Sequence, residues 1–294
     1  METQTRIEKT LDAAVMRAEA SEAPPRLAAA LRHALFPGGA RVRPLLCLAV
    51  ARACGDDMPA LADAAAASIE LMHCASLVHD DMPCFDDADF RRGKVTVHVA
   101  YDEPIALLAG DGLIVMAFEA LAHAATASGP GAAPRLAGLV AALARATGMP
   151  RGIVAGQAWE SEPKIALAPY HRAKTGALFV AATRMGALSA GADPTPWRTL
   201  GDRLGEAYQV ADDLRDAIST PEELGKPVGQ DDRHDRPNAV IQLGLDGAVA
   251  RLEALLAEAE GSIPACAGEA ELRALVRIQA KRLTPRALAP VSVA

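Results

Sequence analysis

The chain has 294 residues, of which 51% are hydrophobic and only 3% aromatic, and its formal net charge is −7 at pH 7. A chain of this length can bury one large core. Ala and Leu are abundant and favour helices, whereas the aromatic residues that suit strands are scarce, so we expect an all-helical protein. The negative charge argues against an extended nucleic-acid-binding face, because such a face needs a basic patch.

The number and spacing of the cysteines, together with the N-terminal residues, predict a soluble protein of the cytoplasm. The five cysteines are Cys47, Cys54, Cys74, Cys84 and Cys266. They are odd in number and include no CxxC pair, so we expect free thiols in a reducing compartment. The first residues are polar, which predicts no signal peptide. The apolar stretches at 104–118 and 137–145 are interrupted by Asp111 or are too short, which predicts no membrane span.

Helical periodicity, with Pro and Gly between the periodic segments, predicts a series of helices. They cover residues 5–20, 26–36, 45–53, 60–81, 102–126, 133–147, 151–160, 168–191, 196–218, 236–257 and 269–282. Pro83 prevents regular continuation of the long helix 60–81. None of the connecting segments is long enough to be a domain linker. We therefore expect a single all-helical domain over residues 1–294.

Two Asp-rich clusters are the most informative motifs, and the first lies at the end of the helix 60–81. Asp80 and Asp81 follow two apolar turns. Carboxylates at a helix C-terminus oppose the helix dipole by roughly 0.3–1 kcal/mol each, so a neutralising cation is expected there. A solvated acidic loop would explain Asp87 and Asp89, but it would not explain Asp80 and Asp81. Mg²⁺ prefers oxygen ligands and usually binds one or two carboxylates together with substrate phosphates.

In the second cluster, Asp212 and Asp216 are four residues apart and project from one face of the predicted helix 196–218. Like charges at this spacing destabilise a helix by roughly 0.2–0.5 kcal/mol unless a cation lies between them. A solvated acidic face is the alternative for this cluster alone. Two separate carboxylate walls predict a site with three magnesium ions that clamp a diphosphate. Arg91, Arg92 and Lys174 could supply the cationic contacts to that diphosphate.

These motifs, taken in order, resemble those of the trans-isoprenyl diphosphate synthases, the polyprenyl synthetase family. The matching segments are residues 38–44, 80–93, 108–111, 156–157, 174–176, 208–216 and 225–229. The resemblance implies an antiparallel helical bundle around a deep cavity, usually in a homodimer. It implies head-to-tail condensation of isopentenyl diphosphate with an allylic diphosphate. Residues 73–84 look most like those of bacterial geranylgeranyl diphosphate synthases of carotenoid and photosynthetic pathways.

The resemblance also implies roles for individual residues. The magnesium ligands would be Asp80, Asp81, Asp86, Asp212 and Asp216. The allylic diphosphate would contact Arg91, Lys174, Gln209 and Lys226. Isopentenyl diphosphate would contact Arg43, His73 and Arg92. Thr175 would be the hydroxyl that faces the allylic cation, and the departing diphosphate would remove the proton, so no side-chain base is expected.

Three positions depart from the family pattern. Ala40 replaces a Lys that normally contacts isopentenyl diphosphate; either Arg41 and Arg43 compensate or the affinity is weaker. Glu160 replaces the usual Asp after the Gly-Gln pair, and Arg236 replaces a late Lys. None of these changes removes a magnesium carboxylate, so we expect an active enzyme.

The residues before Asp80 bear on product length. In the family they form the floor under the growing chain, and farnesyl-producing relatives typically place an aromatic residue there. Here Ala75 and Ser76 are small, so the chain can grow until larger residues such as Met72 stop it. We therefore expect the twenty-carbon geranylgeranyl product, with the fifteen-carbon farnesyl product as the alternative. A non-catalytic subunit, and a terpene cyclase or head-to-head synthase, are further alternatives.

Overall fold

The computed structural model describes residues 2–36, 38–218 and 238–283. The helices in these ranges are α1 (Glu2–Ala18), α2 (Pro25–Leu35), α3 (Val42–Ala53), α4 (Pro59–Asp80), α5 (Val97–Ala100), α6 (Glu103–Ala127), α7 (Ala133–Thr147), α8 (Ile153–Trp159), α9 (Leu167–His171), α10 (Ala177–Ser189), α11 (Arg198–Ile218), α12 (Ala239–Gly261) and α13 (Glu269–Leu283). The prediction of an all-helical fold is confirmed.

One predicted helix is divided in the structure. The sequence predicts a continuous helix over 168–191, but α9 and α10 are separated by a π-helical turn, Arg172–Gly176. A π-turn inserts an extra residue into the helical repeat, and such turns are frequent at functional sites. The turn carries Lys174 and Thr175, two of the predicted site residues.

A short hairpin, β1 (Phe90–Arg91) and β2 (Lys94–Val95), is the second element that the sequence did not predict. Its two central residues, Arg92 and Gly93, both have positive φ, at 57° and 74°. Two consecutive residues with positive φ form the turn that matches the twist of a tight antiparallel hairpin. The hairpin holds Arg91 and Arg92 at the end of the first Asp cluster.

The core is built around α4, which packs against α3, α6 and α10. Six of the fourteen buried residues of α4 are Ala, so the neighbouring helices can approach its backbone closely. Glycines produce similar contacts elsewhere: a Cβ at Gly186 of α10 would collide with the carbonyl oxygen of Cys47 in α3. This close packing fixes the end of α4, where Asp80 and Asp81 lie.

Most of the buried hydrophobic side chains among the described residues form one contiguous cluster, from Ile7 in α1 to Leu283 in α13. This continuity agrees with one domain, although a domain spanning residues 1–294 stays a prediction. All five cysteines are free.

Two helices, α4 and α6, are long and apolar enough to cross a membrane by length and composition. In α4, 78% of the apolar window is buried inside the protein, as in a core helix, and in α6 the share is 44%. The expectation from sequence that no segment is long enough was therefore too strict for these two helices. The absence of a membrane span stays a prediction.

Candidate functional site

The loop after α4 folds back over the end of that helix. The backbone N–H of Asp86 donates to the carbonyl oxygen of Asp80 at 2.9 Å, and the N–H of Ala88 donates to that of Asp81 at 3.1 Å. Carbonyl groups in the last turn of a helix have no intrahelical donor, so these bonds satisfy them. The same bonds return Asp86 to the side of Asp80.

Three carboxylates meet at this point. Asp80, Asp86 and Glu160 each contribute an oxygen, and these oxygens lie within 4.8 Å of one another. Burial raises the pKa of the Asp80 carboxyl; the Lys174 ammonium opposes this shift and the Asp86 carboxylate adds to it. A half-buried group of like charges is unfavourable without cations, and a set of oxygen ligands alone is what Mg²⁺ prefers. The residues present therefore fit magnesium.

Lys174 is the first cation beside this group. Its Nζ forms an ion pair with Glu160 and lies 3.4 Å from Oδ1 of Asp80. The hydroxyl of Tyr170 donates to Oε1 of Glu160 at 2.5 Å, so the Glu160 carboxylate is held from two sides. The π-helical turn directs Lys174 to the carboxylates at the end of α4.

Arg91 is the second cation. Its Nη2 lies 2.6 Å from Oδ1 of Asp81 and 3.6 Å from Oδ2 of Asp80. Asp81 is buried, which raises the pKa of its carboxyl, while the hydrogen bond from Arg91 opposes the shift. Among the described residues, the three-carboxylate group includes Asp80 and Asp86 but not Asp81, Asp212 or Asp216.

The second Asp cluster lies on α11. Asp212 is exposed, and its Oδ1 accepts from Nη2 of Arg215 at 2.6 Å. Asp216 follows one turn later and is half-buried, so the predicted helical spacing is observed. Asp213, between them, is only 2% exposed and accepts a hydrogen bond from the side chain of Gln209. The carboxylates of Asp212 and Asp213, although adjacent in sequence, therefore lie in solvent and in the protein interior, respectively.

Arg43 and His73 form a second group of side chains, which presents cationic and neutral nitrogens. Nη1 of Arg43 lies 3.3 Å from Nε2 of His73, and its guanidinium lies 4.6 Å from the Phe179 ring centroid. Burial, with the charges of Arg43 and Arg92, holds the pKa of His73 well below its usual range. The Nε of Arg43 is buried without a hydrogen-bond partner. A buried donor of this kind fits an anionic ligand.

The Arg41 side chain is buried and hydrogen-bonded in the protein core. It begins α3 in a left-handed conformation with φ of 49° and is 2% exposed. Its guanidinium pairs with Glu8 at 2.8 Å and Glu70 at 2.7 Å, and donates to the carbonyl oxygen of Leu35 at 2.8 Å. The suggestion that Arg41 compensates for the missing Lys at position 40 is therefore wrong.

The residues of the predicted chain-length floor lie on α4. Ala75 is 1% exposed and Met72 is fully buried. Ser76 is half-buried, and its hydroxyl donates to the carbonyl oxygen of His73 at 2.8 Å. Lys226 and Arg236 lie outside the described residues.

Comparison with known proteins places the chain in a family. The Polyprenyl synthetase profile matches residues 24–271. The chain belongs to the polyprenyl synthetase family. It is 60% identical to the geranylgeranyl diphosphate synthase of Cereibacter sphaeroides, covering 98% of this chain and 99% of that one. It is 52% identical to that of Rhodobacter capsulatus, over 96% of each chain. A geranyltransferase structure from Legionella pneumophila superposes with a TM-score of 0.80 at 28% identity, covering 96% of this chain and 93% of that one.

Within this polyprenyl synthetase, sequence reasoning missed three side chains. Glu160 was noted as a replacement but was not expected to join Asp80 and Asp86. Tyr170 had no signal in the sequence, because its role depends on the short helix α9. Asp213 did have a signal: it is four residues after Gln209 and therefore on the same face of α11.

Proposed function

We propose that the protein is a geranylgeranyl diphosphate synthase, which condenses isopentenyl diphosphate head-to-tail with allylic diphosphates to the twenty-carbon product. The observation that carries this proposal is the presence of two separate groups, each suited to a diphosphate, one through magnesium and one directly. One is the carboxylate group of Asp80, Asp86 and Glu160 with its cations. The other is the nitrogen group around Arg43 and His73. A transferase that joins two diphosphates needs both. The names of the two bacterial relatives support the twenty-carbon product.

The metal sites are part of the proposal. The magnesium ligands are Asp80, Asp81, Asp86, Asp212 and Asp216, and we expect three ions. When bound, magnesium stabilises the negative charge that develops on a departing diphosphate. Glu160 also lies close enough to Asp80 and Asp86 to share a metal ion with them, but its carboxylate is already paired with Lys174.

The allylic diphosphate is held by Arg91, Lys174, Gln209 and Lys226. Lys174 and Arg91 point at carboxylates, and a diphosphate gives them a second anionic partner. Donors that are already in place stabilise the leaving group without reorganisation as the allylic bond breaks. Thr175 faces the resulting cation.

Isopentenyl diphosphate is held by Arg43, His73 and Arg92. His73 is neutral at physiological pH because its pKa is lowered by burial and by the guanidinium of Arg43. Arg43 can only donate, so Nε2 of His73 accepts from it, and the single ring hydrogen lies on Nδ1, from which it can be donated to this diphosphate. The departing diphosphate removes the proton after condensation.

Subunit structure and location complete the proposal. The protein forms a homodimer, for which α6 is a suitable surface, because Leu107, Leu108 and Val115 are exposed on it. Exposed apolar patches mark protein contacts. Its free cysteines agree with a cytoplasmic location. The proposed function involves neither nucleic acid nor a membrane span.

Product analysis tests the activity. Purified protein is incubated with Mg²⁺, isopentenyl diphosphate and dimethylallyl, geranyl or farnesyl diphosphate, and the alcohols are separated after phosphatase treatment. We expect mainly the twenty-carbon alcohol, and none after chelation of the metal. A mainly fifteen-carbon product would contradict the assigned product but keep the enzyme class. No condensation with any primer would favour a non-catalytic subunit, and diphosphate release without isopentenyl diphosphate would favour a cyclase.

Asp80→Asn tests the metal assignment. It keeps the shape of the side chain but removes the charge, so we expect turnover to fall at least about a hundredfold. The control is Asp89→Asn in the loop that follows α4, because the Asp89 side chain is exposed. The control should keep turnover within about twofold, as is usual for a surface substitution. Near-normal turnover in Asp80→Asn, with an unchanged requirement for Mg²⁺, would contradict the assignment.

Ala40→Lys tests the isopentenyl diphosphate site. Ala40 is exposed and Arg41 is unavailable, so the new ammonium should lower the KM for isopentenyl diphosphate by about threefold or more. The KM for the allylic substrate should not change. Ala40→Met, of similar length without the charge, is the control. A KM that is equally lowered by both variants, or by neither, would contradict the placement of this diphosphate.

Ser76→Phe tests the chain-length floor. Ser76 is half-buried, whereas Phe at the fully buried Ala75 would also require the core to repack. We expect product to shift from twenty toward fifteen carbons, and Ser76→Val to shift it less. The readout is product distribution at equal conversion. If Ser76→Phe is folded and active but leaves the distribution unchanged, the floor lies on another helix.

A further inference from the structure

Three consecutive hydrogen bonds connect the start of α12 to the π-helical turn. The N–H of Ala239 donates to Oδ2 of Asp213 at 2.7 Å, and Nε2 of Gln209 donates to Oδ1 of Asp213 at 2.9 Å. The hydroxyl of Thr175 donates to Oε1 of Gln209 at 2.7 Å. Asp213 is thus the buried centre of a chain that ends at Thr175.

The close approach of α11 to the π-helical turn makes this chain possible. Gly201, Gly205, Gln209 and Asp213 recur every four residues and lie along one stripe of α11. A Cβ at Gly205 would lie 2.7 Å from Cα of Gly176, so the two backbones are in contact there. One turn further along the stripe, the Gln209 side chain reaches Thr175.

The chemistry of Asp213 fixes the direction of every bond in the chain. A carboxylate accepts hydrogen bonds and donates none. Gln209 must therefore turn its NH₂ group toward Asp213, which leaves its carbonyl oxygen for Thr175. That oxygen can only accept, so the Thr175 hydroxyl must donate its single hydrogen to Gln209. The oxygen of Thr175 then has only lone pairs left for the site.

We propose that Asp213 is a positioning residue that sets the Gln209 amide and, through it, turns the lone pairs of Thr175 toward the reacting allylic centre. This role rests on the prenyltransfer function proposed above. A hydroxyl that already donates its hydrogen to another group presents its oxygen lone pairs to a developing cation. A dipole that is oriented before the reaction stabilises that charge without the free-energy cost of reorganisation. Asp213 needs no contact with substrate or metal for this effect.

Asp213→Asn reverses the chain without changing its shape. The Asn oxygen can still accept from Ala239, which turns the Asn NH₂ group toward Gln209. The Gln209 amide then flips, and its NH₂ group faces Thr175, so the Thr175 hydroxyl accepts and its hydrogen is released. We expect the single-turnover rate of condensation to fall about tenfold or more, because the oriented dipole is lost as charge develops. The KM for isopentenyl diphosphate should stay within about twofold, because the hydrogen-bond chain does not reach Arg43, His73 or Arg92.

A double-mutant cycle separates this role from a structural one. Thr175→Val removes the hydroxyl whose direction Asp213 sets. In that background Asp213→Asn should lower the single-turnover rate less than about twofold further, because residues that act through one hydrogen-bond chain are not additive. Full additivity would overturn the proposal. An unchanged rate in Thr175→Val alone would also overturn it, whereas product formation by the wild-type protein would still support the proposed function.

Asn238→Ala is the matched control. Asn238 caps α12, and its Oδ1 accepts from the N–H of Ile241 at 3.0 Å. Its removal weakens the start of α12, which Asp213 also contacts, but leaves Gln209 untouched. We expect Asn238→Ala to lower the melting temperature at least as much as Asp213→Asn and to keep the single-turnover rate. If Asn238→Ala slows condensation to the same extent, Asp213 acts only by anchoring α12, and the proposal fails.

Discussion

The site depends on the balance between half-buried carboxylates and the cations beside them. Burial raises the pKa of Asp80 and of Asp81, and the cation beside each carboxyl opposes this shift. Lys174 and Arg91 are these cations. A magnesium diphosphate carries both signs of charge, so it can offer cations to the carboxylates and an anion to Lys174 and Arg91. The same ion pairs can therefore stabilise the fold and hold Lys174 and Arg91 in position at the candidate site.

Arg41 and Arg43 show how local backbone conformation decides the use of a charge. Arg41 begins α3 in a left-handed conformation, and its guanidinium is held in the core by Glu8 and Glu70. Arg43, two residues on, keeps a buried Nε without a partner. A buried ion pair is destabilising to break, so Arg41 cannot leave the core for a ligand. Counting the arginines of this motif therefore overstates the charge available to a ligand, and the missing Lys at position 40 matters more.

Most of the helices could be predicted from the sequence, because apolar periodicity and Pro or Gly at the ends are local signals. The division of the helix 168–191 could not, since a π-helical turn is stabilised by contacts with α8 and α11 rather than by its own residues. The same limit applies to the site. The family resemblance selected Asp80 and Lys174, but the position of Glu160 between them depends on how α8 packs beside the π-helical turn.

Asp212 and Asp213 are neighbours in one motif, yet the helix separates them by about 100°. Asp213 lies on the stripe of Gly201 and Gly205, where α11 touches the π-helical turn, and is consequently buried. Asp212 lies off that stripe and is exposed, which suits the metal-binding role proposed for it. An Asp pair can thus supply one carboxylate for a ligand and one for the internal hydrogen bonds of the protein. Because glycines at fixed spacing determine which carboxylate turns inward, the packing of α11 and the chemistry of the second cluster are specified by the same residues.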